Sequence, residues 1–360
     1  MTATAYLHPL TLVPGPQAVE GDAVRLGGSM AYAREFALVL RRDGVVADRI
    51  ICTAATVERA LARLPDAVAA DAALQWANLR KAHPPLQLGA RTIRLDQPQI
   101  MGILNVTPDS FSDGGAHDDA QAGRTHAAAM LEAGAAIIDI GGESTRPGAT
   151  VVPEAEEIAR TAPVIAALGG VGVPVSIDTR KAAVARAALA AGATLVNDVS
   201  ALGFDAEMAA AVAGSGAALA LMHAQGTPET MQRAPTYDDV VLDVYDFLEA
   251  RVAAAEAAGI DRARILVDPG IGFGKTEAHN LALLRSLAIL HGLGCPILLG
   301  ASRKRFIGRI GGADRADARG PGTLAVTLAA VAQGVQLHRV HDVAELAQGL
   351  RLWRALGSEG

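Results

Sequence analysis

Eight short apolar runs between residues 100 and 340 each end on polar or ionisable side chains, and those ends are where this chain could do chemistry. In order they carry Asn105, then Asp139 with Gly141, Gly142 and Glu143, then Asp178, then Asn197 and Asp198. His223, Asp268, the trio Ser302, Arg303 and Lys304, and the pair Arg339 and His341 follow. A lone polar residue after a strand is often the N-cap of the next helix. Eight such ends in succession favour a common site to which several strands contribute. The set holds carboxylates, carboxamides, imidazoles and cations, all groups that bind polar ligands or stabilise charge. It holds no thiol: Cys52 and Cys295 lie far apart, without metal or redox spacing. The glycine-rich run DPGIGFGK at 268–275 lacks the Gly-x-x-x-x-Gly-Lys-Ser/Thr spacing of a nucleotide P-loop.

The elements that must position these residues follow from the apolar pattern. Short β-branched runs at 100–104, 137–140, 175–177, 195–197, 219–222, 265–267, 297–299 and 337–340 are read as strands. Ala-rich segments between them, such as 118–133, 182–191, 237–258 and 323–333, have helical period. Near-continuous apolar strands, each followed by a helix, predict an α/β fold, a closed parallel (β/α)8 TIM barrel. A doubly wound open sheet is the alternative on pattern alone. In a barrel the C-terminal strand ends converge on one face, where active sites are built.

Residues 1–84 read differently, as a small N-terminal α+β extension of unassigned role, with the barrel expected over 85–360. Two apolar runs, 34–40 and 45–51, flank Arg41, Arg42, Asp43 and Gly44, and Asp-Gly between such runs signals a hairpin. Helical segments at 56–64 and 67–81 follow, until His83, Pro84 and Pro85 break the pattern. Residues 86–95, with Gly89 at the turn, predict a second hairpin that closes the bottom of the barrel.

Bulk composition narrows the function classes. A chain of 360 residues, 51% hydrophobic and 19% charged, can bury a large core and is not of disordered composition. A formal charge of -6 argues against non-specific nucleic-acid binding. No apolar stretch is long enough to span a membrane, and no export signal is legible at the start, so a cytoplasmic setting is expected. Only four lysines occur, Lys81, Lys181, Lys275 and Lys304, which makes the two beside glycine-rich or strand-end sequence more noticeable.

Several segments are more specific than a generic barrel. MGILNVTPDSFSDGG at 101–115 and DIGGESTRPG at 139–148 resemble the two signatures of dihydropteroate synthases. SIDT at 176–179, NDVS at 197–200, Met222-His223 followed by QGTP, DPGIGFGK at 268–275, SRK at 302–304 and RVHDV at 339–343 continue the match in the family's order. The resemblance covers roughly residues 86–356. It implies a magnesium-dependent transferase of folate biosynthesis, joining 6-hydroxymethyl-7,8-dihydropterin diphosphate to 4-aminobenzoate and releasing pyrophosphate. It further implies inhibition by sulfonamides and a possible homodimer, with small-molecule substrates and neither nucleic acid nor membrane as partner.

By the same resemblance, Asp178, Asn197, Asp268 and Lys304 form the pterin pocket, with Met222 as an apolar wall. Their donors and acceptors suit the alternating edge of a pterin ring. Arg339 and His341 alternate about Val340 and so point to one side, where a guanidinium fork suits phosphate oxygens. Asn105 matches the family's magnesium-linked residue, and its carboxamide oxygen is a reasonable hard ligand. Thr145, Arg146 and Pro147, with Phe273, are expected to complete the 4-aminobenzoate pocket, though Phe273 reads equally well as core. Asp178, Asp268 and Lys304 are the expected catalytic residues. The loops at 106–117 and 141–153, rich in Gly, Pro, Ser, Thr and Asp, are candidate lids.

Two positions depart from the family pattern: Arg305 stands where many members have serine, and Thr276 where an amide residue is common. The first leaves the 4-aminobenzoate contacts open, so Arg305 is not counted among the binding residues. A pterin-dependent methyltransferase barrel shares the architecture and the pterin pocket, but TRPG, SRK and RVHDV together are not expected of it. A catalytically silent paralogue is the other reading, and intact charged strand ends speak against it.

Overall fold

A computed structural model describes residues 3–14, 23–106, 116–144, 151–169, 172–226, 231 and 234–357. The first four strands are β1 (Ala3–Pro14), β2 (Val24–Arg25), β3 (Ala31–Arg42) and β4 (Val45–Thr53). β3 pairs antiparallel with β1 along its length, and with β2 and β4 on its other side. Asp43 and Gly44 turn the chain with φ of 47° and 84°, the left-handed pair that a two-residue hairpin of the right twist requires. β1 was not anticipated from the sequence because Pro9 interrupts it. Among the described residues its one partner is β3, so Pro9 sits on an edge strand, where a missing N–H is tolerated.

Helices α1 (Val57–Leu61) and α2 (Asp66–Arg80) cover one side of this sheet. Leu7, Phe36, Leu38, Trp76 and Leu79 form the core there, with the Phe36 and Trp76 rings edge to face at 5.1 Å. Alternate residues Tyr6, Ala37 and Val39 point the other way and join the core of the barrel. Tyr6 meets Tyr245 edge-on at 5.6 Å, and its hydroxyl donates to Asp246 at 2.9 Å. Arg41 completes the seam, donating to Asp243 at 2.5 Å, to Asp246 at 3.3 Å and to the Gly44 carbonyl at 3.1 Å. Hydrogen bonds to charged groups contribute about 1.5–3 kcal/mol each when well buried. Arg41→Ala is therefore expected to lower stability by about 2 kcal/mol in urea unfolding while leaving turnover unchanged. A loss of turnover in a folded Arg41→Ala protein would show that the seam reaches the site.

The hairpin of β5 (Leu86–Leu88) and β6 (Arg91–Ile93) turns at Gly89, φ 60°. Its Leu86, Leu88 and Ile93, with Leu95, pack on Met101, Ile137, Leu195, Leu266, Leu298 and Leu337. Those six come from six different strands, so the hairpin plugs the lower mouth of the barrel, as the sequence predicts.

The barrel strands are β7 (Gln99–Asn105), β8 (Ile137–Gly141), β9 (Val175–Asp178), β10 (Leu195–Asp198), β11 (Ala218–Met222), β12 (Ile265–Asp268), β13 (Leu298–Leu299) and β14 (Leu337–Val340). They lie parallel in the order β12-β11-β10-β9-β8-β7-β14-β13. A parallel bridge between Val267 and Ile297 joins the two ends, which closes the sheet and rules out the open alternative. Around it stand α3 (Ala116–Ala133), α4 (Glu154–Leu168), α5 (Ala182–Ala190), α6 (Met208–Ala213), α7 (Val240–Ala257), α8 (Glu277–Arg285), α9 (Arg305–Gly311), α10 (Gly320–Val331) and α11 (Val343–Gly357). The fold is a (β/α)8 barrel carrying an α+β segment at its N-terminal side. Among the described residues, no helix is long and apolar enough to cross a membrane.

Candidate active site

Strand periodicity explains which polar residues enter the barrel. Side chains alternate between the lumen and the helical layer. Ile137, Leu195, Leu266 and Leu337 fill the lower lumen. Two residues further on, in the same direction, come Asp139, Asn197, Asp268 and Arg339. Asp178 takes the equivalent place on β9, paired in register with Asn197. Their neighbours Ile138, Ile140, Ile177 and Val267 face the helices and anchor the strands. An apolar lower layer thus carries a polar upper one.

The upper layer is tightly coupled. Arg339 donates through Nε to Asp139 Oδ2 at 2.5 Å and through Nη2 to Asp178 Oδ2 at 2.7 Å. Asn197 Nδ2 reaches the same Asp139 oxygen at 3.4 Å. Asp139 is fully buried and Asp178 nearly so, and the second oxygen of each is buried without a partner among the described residues. Burial drives the Asp178 carboxyl above its usual range, against the opposing pull of Arg339 and with a further push from Asp139. Asp268 is also lifted, to about 6, by burial, opposed by the Gly270 N–H that donates to it at 2.7 Å and by the charges of Lys304 and Arg339. The two carboxyls therefore face the pocket with little water and an incomplete set of donors.

Lys304, the N-cap of α9, brings its ammonium to 4.0 Å from the centre of the Phe273 ring. Close approach is possible because residue 272 is glycine: a Cβ there would stand 3.2 Å from Lys304 Cδ. Phe273 is half-buried, its ring facing the Lys304 ammonium. Met222 ends β11 in register with Asp268 and is buried. His341 is half-buried, its Nδ1 3.0 Å from Ser302 Oγ, which also accepts the His341 backbone N–H at 3.2 Å.

Asn105 is exposed at the end of β7. Between it and Asp178 lies Gly141, in register with both. The place a Cβ would occupy on Gly141 is 3.8 Å from Asn105 Oδ1 and 3.9 Å from Asp178 Oδ2. The missing side chain leaves the amide oxygen of Asn105 and the Asp178 carboxylate facing one space. Among the described residues, no group of three or more His, Cys, Asp or Glu side chains could hold a metal alone.

Other strand-end residues serve the scaffold. Asp198 accepts the backbone N–H groups of Ser200 at 2.8 Å and Leu202 at 2.7 Å, which holds the turn after β10. Arg303 pairs with Asp342. Glu143 takes Arg180 at 2.8 Å and Lys181, and Lys181 also binds Glu157 at 2.5 Å. Thr145, Arg146 and Pro147, most of the 106–117 loop and nearly half of the 141–153 loop lie outside the described residues. Asp139 stood among the polar strand ends of the sequence but was given no role there. Its signal was there, since it sits two residues beyond Ile137 on a strand whose alternate members face the lumen.

Comparison with known proteins places this geometry. The sequence profile of the family described as pterin binding enzyme matches residues 101–341. A dihydropteroate synthase of Neisseria meningitidis serogroup C is 48% identical over 274 residues, 75% of this chain and 97% of that protein. A Xanthomonas albilineans dihydropteroate synthase solved with 4-aminobenzoic acid superposes with a TM-score of 0.73 at 48% identity, covering 78% of this chain and all of that one. The same organism's enzyme in complex with 7,8-dihydropteroate gives 0.70 at 45% identity, over 77% of this chain and 100% of its own.

Proposed function

The chain belongs to the dihydropteroate synthase family of pterin-binding enzymes, and from that premise we propose how its residues divide the reaction. It condenses 6-hydroxymethyl-7,8-dihydropterin diphosphate with 4-aminobenzoate, giving 7,8-dihydropteroate and pyrophosphate. The observation that carries the division of labour is the buried upper layer of Asp139, Asp178, Asn197, Asp268 and Arg339.

Asp178 Oδ1 and the pocket-facing oxygen of Asp268 accept N–H groups of the pterin edge, and Asn197 and Lys304 supply donors to its acceptors. Met222 covers an apolar side of the ring. Phe273, with Thr145, Arg146 and Pro147, borders the 4-aminobenzoate side. The C–O bond to diphosphate breaks with its electron pair leaving on pyrophosphate, and the aniline lone pair then forms the new C–N bond as an N–H proton is released. No protein nucleophile takes part. Asp178 and Asp268 stabilise the positive charge that spreads over the pterin-methyl group, and preorganised charges in a dry site are worth far more than in water. Arg339 and His341 offer donors to the leaving diphosphate. Asp139 holds Arg339 in place.

The donor set at Asn105 fits magnesium, which keeps several waters and shares one or two oxygen ligands with substrate phosphates. Asn105 Oδ1 is the protein oxygen that would hold it, beside the space that Gly141 opens. A magnesium ion held there would supply positive charge beside the diphosphate.

A product assay with purified protein, pterin diphosphate, 4-aminobenzoate and magnesium tests the activity; release of pyrophosphate without dihydropteroate would refute it. Affinity for the pterin should also depend on pH with a definite sign. The free enzyme holds Asp268 protonated below about 6, whereas the pterin needs an acceptor there. Binding is therefore expected to weaken as pH falls through 6, with proton release on binding near that pH, measurable by calorimetry in two buffers of different ionisation enthalpy. The linkage runs the other way for the empty protein. A carboxyl raised from 3.8 to about 6 binds more protons folded than unfolded, so its stability contribution is greatest below 3.8 and is lost as pH rises through 6.

A further inference from the structure

Lys275 lies in the glycine-rich segment after β12, yet it is buried, only 3% exposed. Its ammonium is surrounded by acceptors: His223 Nδ1 at 2.8 Å, the Phe273 carbonyl at 3.0 Å and the His223 carbonyl at 3.4 Å. An ammonium only donates, so Nδ1 of His223 accepts and the imidazole carries its proton on Nε2. That ring is a neutral base, its basicity lowered to about 3 by burial and by Lys275, and it packs edge to face on Phe247 at 4.7 Å. One amine, its pKa brought down to about 7 by burial, thus joins the end of β11 to the loop that follows β12.

The loop is built to be held. At Gly270 and Gly274, φ is 66° and 62°. A Cβ on Gly270 would stand 1.8 Å from the His223 carbonyl oxygen, and one on Gly274 2.4 Å from that of Gln225. Only glycine lets the two backbones lie this close. Tyr237 fixes the outer side, its hydroxyl donating to the Gly274 carbonyl at 2.7 Å, and Asn280 accepts the Gly272 N–H at 2.7 Å. Phe273 is the single aromatic side chain of this stretch, and its carbonyl is the one that Lys275 grips.

We infer that Lys275 is a positioning residue for 4-aminobenzoate recognition: by tying the Phe273 carbonyl to His223 it fixes the Phe273 ring beneath the Lys304 ammonium, where the second substrate lies. The inference rests on the assignment of Phe273 to the 4-aminobenzoate side. It distinguishes Lys275 from Lys304, which meets the ligand, and from the pterin residues, which sit on strands and need no loop clamp.

The test compares two variants by steady-state kinetics in both substrates. Phe273→Ala asks whether the ring faces 4-aminobenzoate at all; an unchanged KM for 4-aminobenzoate there refutes that assignment. Lys275→Met removes all three hydrogen bonds at nearly constant volume. The expected result is a rise of about tenfold in the KM for 4-aminobenzoate, the scale of one lost hydrogen bond to a charged group, with the KM for the pterin diphosphate moving threefold or less. If Lys275→Met is not recovered folded, Lys275→Gln, which keeps a donor for one carbonyl, is read in the same way. A folded variant with both KM values unchanged, or with both raised equally, overturns the inference. A rise in Phe273→Ala without one in the Lys275 variant refutes the clamp while keeping the Phe273 assignment.

Discussion

Asp178→Asn is expected to lower kcat by about two orders of magnitude or more, the loss typical of a preorganised electrostatic group. The substitution keeps the shape of the side chain, and its amide oxygen still accepts Arg339 Nη2, now 2.7 Å from Asp178. What goes is a negative charge set in a nearly water-free layer, facing the pterin-methyl group as it turns cationic. With its oxygen kept on Arg339, the amide turns its NH2 toward the pterin edge in place of Oδ1, so pterin affinity should fall together with turnover. Rapid-quench measurement of pyrophosphate release in the first turnover separates chemistry from product release. Near-native release in the variant would remove Asp178 from the mechanism.

Arg339→Met should have the second large effect, on activity and stability together. Arg339 is the cation between two buried carboxylates, one of them fully enclosed. Deleting one member of a buried ion pair costs about 3–5 kcal/mol because a charge is left without compensation. A loss of that size in denaturant unfolding is expected, along with the loss of activity. The double variant Asp139→Asn with Arg339→Met removes the stranded charge as well. It should recover a good part of the stability and none of the turnover. Stability unchanged in the single variant would show that the pair contributes nothing to folding.

The barrel was legible because its strands are buried on both faces, so they appear as apolar runs, and because each run ends on a residue that an apolar strand would not otherwise carry. Register is also implicit in that pattern: Leu195 and Asn197, or Leu266 and Asp268, share a face by simple alternation. Partnership across strands is not implicit. Nothing in the sequence says that Arg339 would turn to Asp139 and Asp178, since those carboxylates stand on β8 and β9 while Arg339 is on β14. The same holds for Lys275 and His223, and for Glu143, whose partners Arg180 and Lys181 begin a different βα unit. β1 was hidden by Pro9, a residue that marks an edge only once the sheet is known. The α+β segment showed its hairpin, yet its docking through Tyr6 and Arg41 depends on charges of α7 more than 200 positions away.

The closure of the barrel has a further consequence for how the protein is held together. Between β12 and β13 the ladder among the described residues is a single bridge, Val267 to Ile297, because β13 is two residues long and Pro296 has no N–H to give. Val267, Ile297 and Leu298 are fully buried, so packing holds the junction where the hydrogen-bond ladder is short. Asp268 stands at the end of one side of that junction and Lys304 just beyond the other. A pterin gripped by both would stitch the barrel shut across its thinnest line of hydrogen bonds, so that the first substrate also tightens the frame that receives the second.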